Sequence, residues 1–206
     1  MAVLRQIFVH REYDLDSRPQ GRTVRDAYAA ILRRNKTPLI IDAGANVGFA
    51  ARFFSRAYPL ARIICVEPDP GNVALCKANT KALGQVEVIE AAIGSTPGFA
   101  SIETSQSQSW ATRTQRSESG LPIVTINDLA SRSDETELLI VKIDIEGFEK
   151  ELFSRNTEWI DQAHAVIVEP HDWLLPEDAS SRTMQTMMMN KDRDLLIIGE
   201  NLVWIK

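Results

Sequence analysis

Short apolar runs alternate with amphipathic segments along the chain, and this alternation constrains the fold more than any other feature. Continuous apolar runs of four to ten residues are typical of strands buried on both faces of a sheet. The runs that we interpret as parallel strands are 39–42, 62–67, 85–94, 138–144 and 165–169. Helical patterns lie between or after them, and two further apolar runs at 194–199 and 202–206 flank Glu200–Asn201 as a hairpin would. The pattern predicts an α/β fold with a doubly wound, mostly parallel sheet and a C-terminal antiparallel hairpin.

The 206 residues are enough to bury one sizeable core, so we expect a single domain over residues 1–206. Residues 1–37 are expected to form a strand and helix extension that precedes the first core strand, with the helix at 22–35. Residues 104–120 are rich in Ser, Thr and Gln and too long for an ordinary connection. They are either a surface loop without fixed structure or a lid over a site.

Charge and composition exclude several classes of protein. The net charge of −5 has the wrong sign for a domain that binds nucleic acid phosphates. No run approaches the roughly 18 apolar residues of a membrane span. The two cysteines, Cys65 and Cys76, form no CxxC pair and no disulfide framework, so we expect reduced thiols in a soluble, cytoplasmic protein without nucleic acid or membrane partners.

The first strand ends in a glycine-containing loop, Asp42 to Gly48, where an α/β protein binds its ligand. A dinucleotide-binding loop would carry glycine at three positions that hold Asp42, Gly44 and Val47 here, so one of the three fits. A carboxylate at the first position would also repel a pyrophosphate. S-adenosylmethionine is cationic and lacks phosphate, and Gly44 and Gly48 would let the backbone approach it closely. Alternatively, Gly44 supplies only a tight turn and Asp42 only a helix cap.

Two later strand ends extend the same pattern. Glu67 closes the second strand, where a carboxylate can accept hydrogen bonds from both ribose hydroxyls, and Pro68 follows it. The third strand leaves the sheet at Ala91 and Ala92. Glu67 alone suits either nucleoside cofactor, but its combination with the Asp42 loop favours S-adenosylmethionine.

These segments resemble the FkbM family of S-adenosylmethionine-dependent methyltransferases. The resemblance is carried by LIIDAGANVG (39–48), VEPDP (66–70), VTINDL (124–129), VKIDIEGFE (141–149) and GENLVWI (199–205). It implies a class I methyltransferase fold with a seven-stranded sheet, and O-methylation of hydroxyls on sugars and other natural products. It also implies that Asp42, Gly44, Asn46 and Gly48 line the methionine moiety, that Glu67 binds ribose, and that Asp144 lies beside the sulfur. Because Ala91 and Ala92 offer no polar side chain, adenine recognition would use backbone groups.

The fourth and fifth strands end in ionisable residues that could carry the chemistry. Lys142 and Asp144 alternate on one face of a central strand, so Lys142 is expected to pair with Asp144, Glu146 or Glu169. Glu169 and His171 follow the neighbouring strand. We expect His171 to be the general base because its ordinary pKa is about 6.5, with Glu169 or Asp144 orienting it or holding the acceptor hydroxyl. A buried ion pair without catalytic duty and a solvated loop histidine are the alternatives.

The sequence therefore predicts an S-adenosylmethionine-dependent methyltransferase that acts on a hydroxyl of a small molecule or glycan. The residues expected to act in catalysis are Lys142, Asp144, Glu169 and His171. Although Asp144, Glu169, His171 and Asp172 could hold a divalent cation, they have no diagnostic ligand spacing and no metal is predicted. Two other functions stay open, namely a cofactor-binding module without catalysis and, on the same fold, an NAD-dependent oxidoreductase.

Overall fold

The computed structural model describes residues 2–104, 112–173, 177 and 179–206. The helices within these ranges are α1 (Ala2–Phe8), α2 (Gly21–Arg33), α3 (Phe49–Ala57), α4 (Pro70–Thr80), α5 (Ile126–Ala130), α6 (Glu149–Leu152), α7 (Trp159–Gln162) and α8 (Arg182–Met189). The strands are β1 (Thr37–Ala43), β2 (Arg62–Glu67), β3 (Val86–Glu90), β4 (Ala92–Ile93), β5 (Gly98–Thr104), β6 (Thr112–Ser117), β7 (Leu121–Val124), β8 (Thr136–Ile143), β9 (Ala165–Val168), β10 (Asp194–Ile198) and β11 (Asn201–Ile205).

Seven strands form the central sheet, in the order β10-β11-β9-β8-β1-β2-β3. The five strands from β9 to β3 are parallel, whereas β10 and β11 form an antiparallel hairpin that joins the sheet beside β9. This confirms the predicted doubly wound sheet with its C-terminal hairpin. Apolar cores cover both faces, one beneath α1, α2 and α3 and the other beneath α5 to α8. Full burial of the central strands explains why they appear in the sequence as unbroken apolar runs.

A second sheet of four strands, β4-β7-β5-β6, was not predicted. It corrects two expectations. The run 85–94 is two strands, because the chain leaves the central sheet after Glu90 and Ala92–Ile93 pairs with β7. Residues 112–117, expected within a loop, are strand β6 and pair with β5. Residues 105–111, the middle of the proposed lid, lie outside the described residues.

The N-terminal extension contains α1 and α2, and the strand expected within residues 1–37 is wrong apart from Thr37, which opens β1. Leu4, Ile7 and Phe8 recur at intervals of three and four residues, which is the period of a helix and not of a strand. Ile7 is 2% exposed, and the Phe8 ring packs edge-on against Phe49 of α3 at 6.4 Å between centroids. The extension therefore packs onto α3. No helix in the described part of the chain combines the length and the apolar character that crossing a bilayer requires.

Candidate active site

Two crevices adjoin at the carboxyl ends of the parallel strands, where ligands bind in doubly wound sheets. The first lies over β1 and β2 and beneath the second sheet. Its lining residues are Gly44, Asn46, Val66, Glu67, Pro68, Asn72, Ala91, Ala92, Ile93, Thr114, Asp144, Ile145, Glu146 and Phe148. Seven of the predicted cofactor residues lie here, namely Gly44, Asn46, Glu67, Pro68, Ala91, Ala92 and Asp144.

Gly44 forms the narrowest point between the β1 loop and β8. Its φ is +75°, and a Cβ built on it would lie 1.7 Å from the carbonyl oxygen of Asp144. Its backbone N–H donates to the carbonyl oxygen of Val66 at 2.9 Å. No side chain fits at this position, so glycine is required for the loop to pass directly over the end of β8.

Glu67 is held rigidly at the end of β2. One carboxylate oxygen accepts a hydrogen bond from the backbone N–H of Asn46 at 2.8 Å, and the other accepts from the N–H of Asp69 at 3.0 Å and from the Asn72 amide at 3.3 Å. Burial raises the pKa of Glu67, and these three donors oppose the rise. The carboxylate is therefore fixed before any ligand enters, on the wall of the first crevice.

Two residues predicted to line the cofactor are not on the crevice wall. Asp42 is fully buried and faces Lys142 beneath the loop, because β1 turns its side chain to the face opposite the crevice floor. Gly48 has φ +83° and begins α3, and a Cβ on it would lie 2.8 Å from Sγ of Cys76 in α4. Gly48 permits close packing of α3 on α4, so both residues support the loop without facing the first crevice.

Lys142 lies directly under the glycine loop. Its ammonium nitrogen donates to the carbonyl oxygen of Gly44 at 2.7 Å and lies 3.1 Å from a carboxylate oxygen of Asp42 and 3.4 Å from one of Asp144. Burial alone would lower the pKa of Lys142, but the charges of Asp42 and Asp144 outweigh it and hold the pKa well above its usual value. Pairing with Asp144 was predicted, whereas pairing with Asp42 was not. A permanently charged, three-coordinated ammonium cannot accept a proton, so the expected catalytic role becomes a positioning role.

The second crevice is a cavity of about 370 Å³ that adjoins the first. Asn46, Asp144 and Glu146 line both spaces and form their common wall. The other lining residues are Val3, Gln6, Ile7, Tyr13, Ala45, Val47, Phe49, Ala50, Lys142, Glu169, His171 and Trp173. Two ligands, one bound in each crevice, would meet at Asp144.

His171 is buried, at 4% exposure, and not the solvated histidine of the alternative interpretation. Its Nδ1 lies 2.8 Å from a carboxylate oxygen of Glu149, and its Nε2 lies 3.5 Å from Asp144. Burial alone would lower the pKa of His171, but the bond to Glu149 and the charges of Glu149 and Asp144 raise it to about 9. The raised pKa favours an imidazolium at neutral pH, a form that donates a proton and does not accept one, so the general-base role predicted for His171 fits Glu169 better.

Glu169 has the properties that His171 lacks. Burial raises its pKa to about 7, the nearby Asp144 charge adds to the rise, and the His171 cation opposes it. A carboxylate with this pKa is a matched proton acceptor near neutral pH. Asp144, Glu169 and His171 also place one ligand atom each within 4.8 Å of one another, a geometry that could hold a metal ion. The imidazolium competes with such an ion, so the prediction of no metal is kept.

Some residues of the site were not predicted. Glu149 is fully buried and supplies the partner of His171, yet only the tertiary fold brings the two together across 22 residues of sequence. Its one signal is its place in VKIDIEGFE, three residues after Glu146. Thr114 of β6 and Gln6 of α1 belong to elements whose secondary structure was predicted wrongly.

Comparisons with known proteins identify the family to which the chain is similar. Residues 42–194 match the family model of the methyltransferase FkbM domain. The crystal structure of the methyltransferase FkbM from Methylobacillus flagellatus superposes with a TM-score of 0.54 at 14% identity, over 82% of this chain and 44% of that chain. This superposition supports the fold. The chain thus spans less than half of that solved protein.

Two curated relatives are similar in sequence. The hexuronic acid methyltransferase AglP of Haloferax volcanii is 27% identical over 165 residues, which cover 76% of this chain and 68% of that protein. The 2-O-methyltransferase NoeI of Sinorhizobium fredii is 39% identical over 61 residues, 30% of this chain and 25% of that protein. Because the family model spans more than half of the sequence and the site lies almost wholly within it, the chain belongs to the FkbM family of methyltransferases.

Proposed function

We propose that this protein transfers the methyl group of S-adenosylmethionine to a hydroxyl oxygen of a sugar or other small polyhydroxylated molecule. The observation that carries the proposal is the common wall of the two crevices. Asp144, Asn46 and Glu146 separate the first crevice, which Glu67 and Gly44 also line, from a second cavity that contains a proton acceptor. Two reactants held on either side of one carboxylate are the arrangement that a direct transfer needs.

The residues of the first crevice fit this cofactor. No Lys or Arg is among its described lining residues, so it offers no counter-charge to a pyrophosphate, whereas the Glu67 and Asp144 carboxylates suit ribose hydroxyls and a cation. Pro68, Ala91, Ala92 and Ile93 supply an apolar slot for a base. When bound, S-adenosylmethionine supplies an electrophilic methyl group on a sulfonium centre. Together with the family assignment, this chemistry disfavours the NAD-dependent alternative.

The residues of the second cavity would bind and activate the acceptor. Glu169 would take the proton of the attacking hydroxyl, because burial sets its pKa near 7. Asp144 would accept a hydrogen bond at the point of transfer, while the Lys142 ammonium beneath it holds its carboxylate in place. The His171 imidazolium keeps Glu169 ionised through its charge. A proton acceptor beside the common wall has no use in a module that only binds cofactor, which favours catalysis.

The names of the two similar proteins support a sugar acceptor. One is a hexuronic acid methyltransferase and another is a 2-O-methyltransferase. Substrates of the kinds that these two names indicate would present one hydroxyl group, or a ring that carries several, to the second cavity. The cavity wall holds both carboxylate and imidazolium groups, which suit the donor and acceptor faces of hydroxyls.

The cofactor part of the proposal is tested by calorimetric titration of the protein with S-adenosylmethionine, S-adenosylhomocysteine and NAD. We expect the first two to bind and NAD to give no measurable heat of binding. Glu67→Gln should weaken both, because a ribose hydroxyl then loses a charged acceptor worth roughly 1.5 to 3 kcal/mol. Binding of NAD alone would contradict the proposal.

The pH dependence of kcat/KM is expected to follow two groups. Activity should rise through about pH 7, where Glu169 loses its proton, and should fall above about pH 9, where Nε2 of His171 loses the proton that it can donate to an acceptor oxygen while Nδ1 stays bonded to Glu149. In His171→Gln the cation that lowers the pKa of Glu169 is gone, so the acidic limb should move to higher pH and the alkaline limb should disappear. An unchanged acidic limb in this variant would contradict the assignment of Glu169 and His171.

A further inference from the structure

The N-terminal segment contributes a wall of the second cavity although it lies outside the family match. The match begins at residue 42, whereas Val3, Gln6 and Ile7 of α1 and Tyr13 line the cavity together with Glu169. Ile7 and Tyr13 are buried, which fixes the segment against α3. The acceptor side of the cavity is therefore built partly from residues that precede the family match.

Gln6 is the polar residue that α1 presents to the cavity. Its amide nitrogen donates to a carboxylate oxygen of Glu12 at 3.0 Å and lies 3.4 Å from a carboxylate oxygen of Glu169. Both amide hydrogens are thus directed at carboxylates. The backbone carbonyl oxygen of Gln6 accepts from the N–H of Glu12 at 3.3 Å, whereas no described residue donates to the side-chain amide oxygen, Oε1, which is left to accept from a ligand hydroxyl.

The C-terminal hairpin holds this arrangement in place. The same oxygen of Glu12 accepts a hydrogen bond from the Asn201 amide at 3.1 Å, and Asn201 is fully buried at the start of β11. Gly199 has φ +60°, and a Cβ on it would lie 2.3 Å from the Glu12 carboxyl carbon. The GENLVWI segment therefore makes room for Glu12 and fixes it, and Glu12 in turn orients Gln6 beside Glu169.

We propose that α1 is the acceptor-recognition element of this protein, with the side-chain amide oxygen of Gln6 accepting a hydrogen bond from a second hydroxyl of the acceptor, next to the hydroxyl that Glu169 deprotonates. The acceptor class is accordingly a molecule with two neighbouring hydroxyls, such as a pyranoside. The inference rests on the proposed function, because it assumes that the second cavity holds the methyl acceptor. Gln6 binds the substrate in this account and takes no part in proton transfer.

Hydrogen exchange locates the acceptor without requiring turnover. S-adenosylhomocysteine alone should slow amide exchange around residues 44–46 and 67–72. Further addition of methyl glucopyranoside or methyl glucopyranosiduronic acid should slow exchange in residues 2–13, because contacts with the ligand stabilise the segment that lines the cavity. No added protection of residues 2–13 with either glycoside would overturn the inference. Missing protection by S-adenosylhomocysteine would overturn the proposed function instead.

A cycle that combines one change in the enzyme with one change in the substrate, like a double-mutant cycle, then tests the role of Gln6. The methylated hydroxyl is first identified on the product of a glycoside that accepts the methyl group. An analogue of this glycoside that lacks the neighbouring hydroxyl is then compared with it. Gln6→Leu should lower kcat/KM about 3- to 10-fold for the parent glycoside, the value of one hydrogen bond, and leave the deoxy analogue almost unaffected. Leu4→Ala, which changes an exposed α1 side chain that does not line the cavity, is the control and should change neither. Equal losses for both substrates, or no loss for either, would overturn the role of Gln6.

Discussion

Replacement of Glu169 by glutamine is expected to lower kcat by roughly 10²- to 10⁴-fold, the usual contribution of a positioned general base. Glutamine keeps the size of the side chain but cannot accept the proton of the acceptor hydroxyl. The affinity for S-adenosylhomocysteine should stay close to that of the parent protein, because Glu169 lines the second cavity and not the first crevice. Calorimetry and a transfer assay on the same preparation separate the two effects.

Glu200→Gln is the matched control for this experiment. Glu200 is exposed on the turn between β10 and β11, and its charge raises the pKa of Glu169 slightly. Glu200→Gln changes the net charge of the protein by the same amount as Glu169→Gln, but at a residue that does not line the cavity. We expect transfer to stay within a factor of about two, since the field of one exposed charge is strongly screened. A Glu169→Gln variant with parental turnover would contradict the assignment of the base.

Replacement of Lys142 by methionine is expected to lower the free energy of unfolding by about 3 to 5 kcal/mol, the cost of removing one partner from a buried ion pair. Asp42 is fully buried and Lys142 is its charged neighbour, so the variant leaves a carboxylate without compensation. The carbonyl oxygen of Gly44 also loses its donor. Urea unfolding at neutral pH, with the slope compared between variants, measures the change.

Two further variants show whether the loss comes from this pair. Lys77→Met, on the exposed face of α4, should change stability by no more than about 0.5 kcal/mol. Adding Asp42→Asn to Lys142→Met removes the stranded charge and should recover part of the loss. A loss below about 1 kcal/mol for Lys142→Met would mean that water or a shift in protonation compensates Asp42, and would contradict the positioning role given to Lys142.

The central sheet could be predicted because strands that are buried on both faces are continuous apolar runs in the sequence. The runs LIID and RIICVE have no solvent-facing side, so they need no context to be recognised as strands. Strand β6, with the sequence TRTQRS, shows no such pattern. It is an edge strand of a small sheet and all of its residues are polar, so no apolar alternation marks a buried face. The second sheet and the residue Thr114 that it brings to the crevice were missed for this reason.

The pairing of charges depended on register, which the sequence does not contain. Strands β1 and β8 pair Leu39 with Leu138 but Ile40 with Ile140, and this one-residue irregularity places Asp42 beside Lys142. Without it Asp42 was assigned to the crevice wall. The surroundings of His171 were missed similarly, because Glu149, whose contact with Nδ1 raises the pKa of the ring, comes from another element.

The most direct test of the account is transfer of a labelled methyl group from S-adenosylmethionine to a set of methyl glycosides by the parent protein. We predict that label appears in the glycoside as a methyl ether on a ring hydroxyl and that S-adenosylhomocysteine forms in equal amount. Label found only as a methyl ester or on nitrogen, or binding of the cofactor with no transfer to any hydroxyl, would contradict the claim that Asp144 divides a cofactor crevice from a hydroxyl-activating cavity.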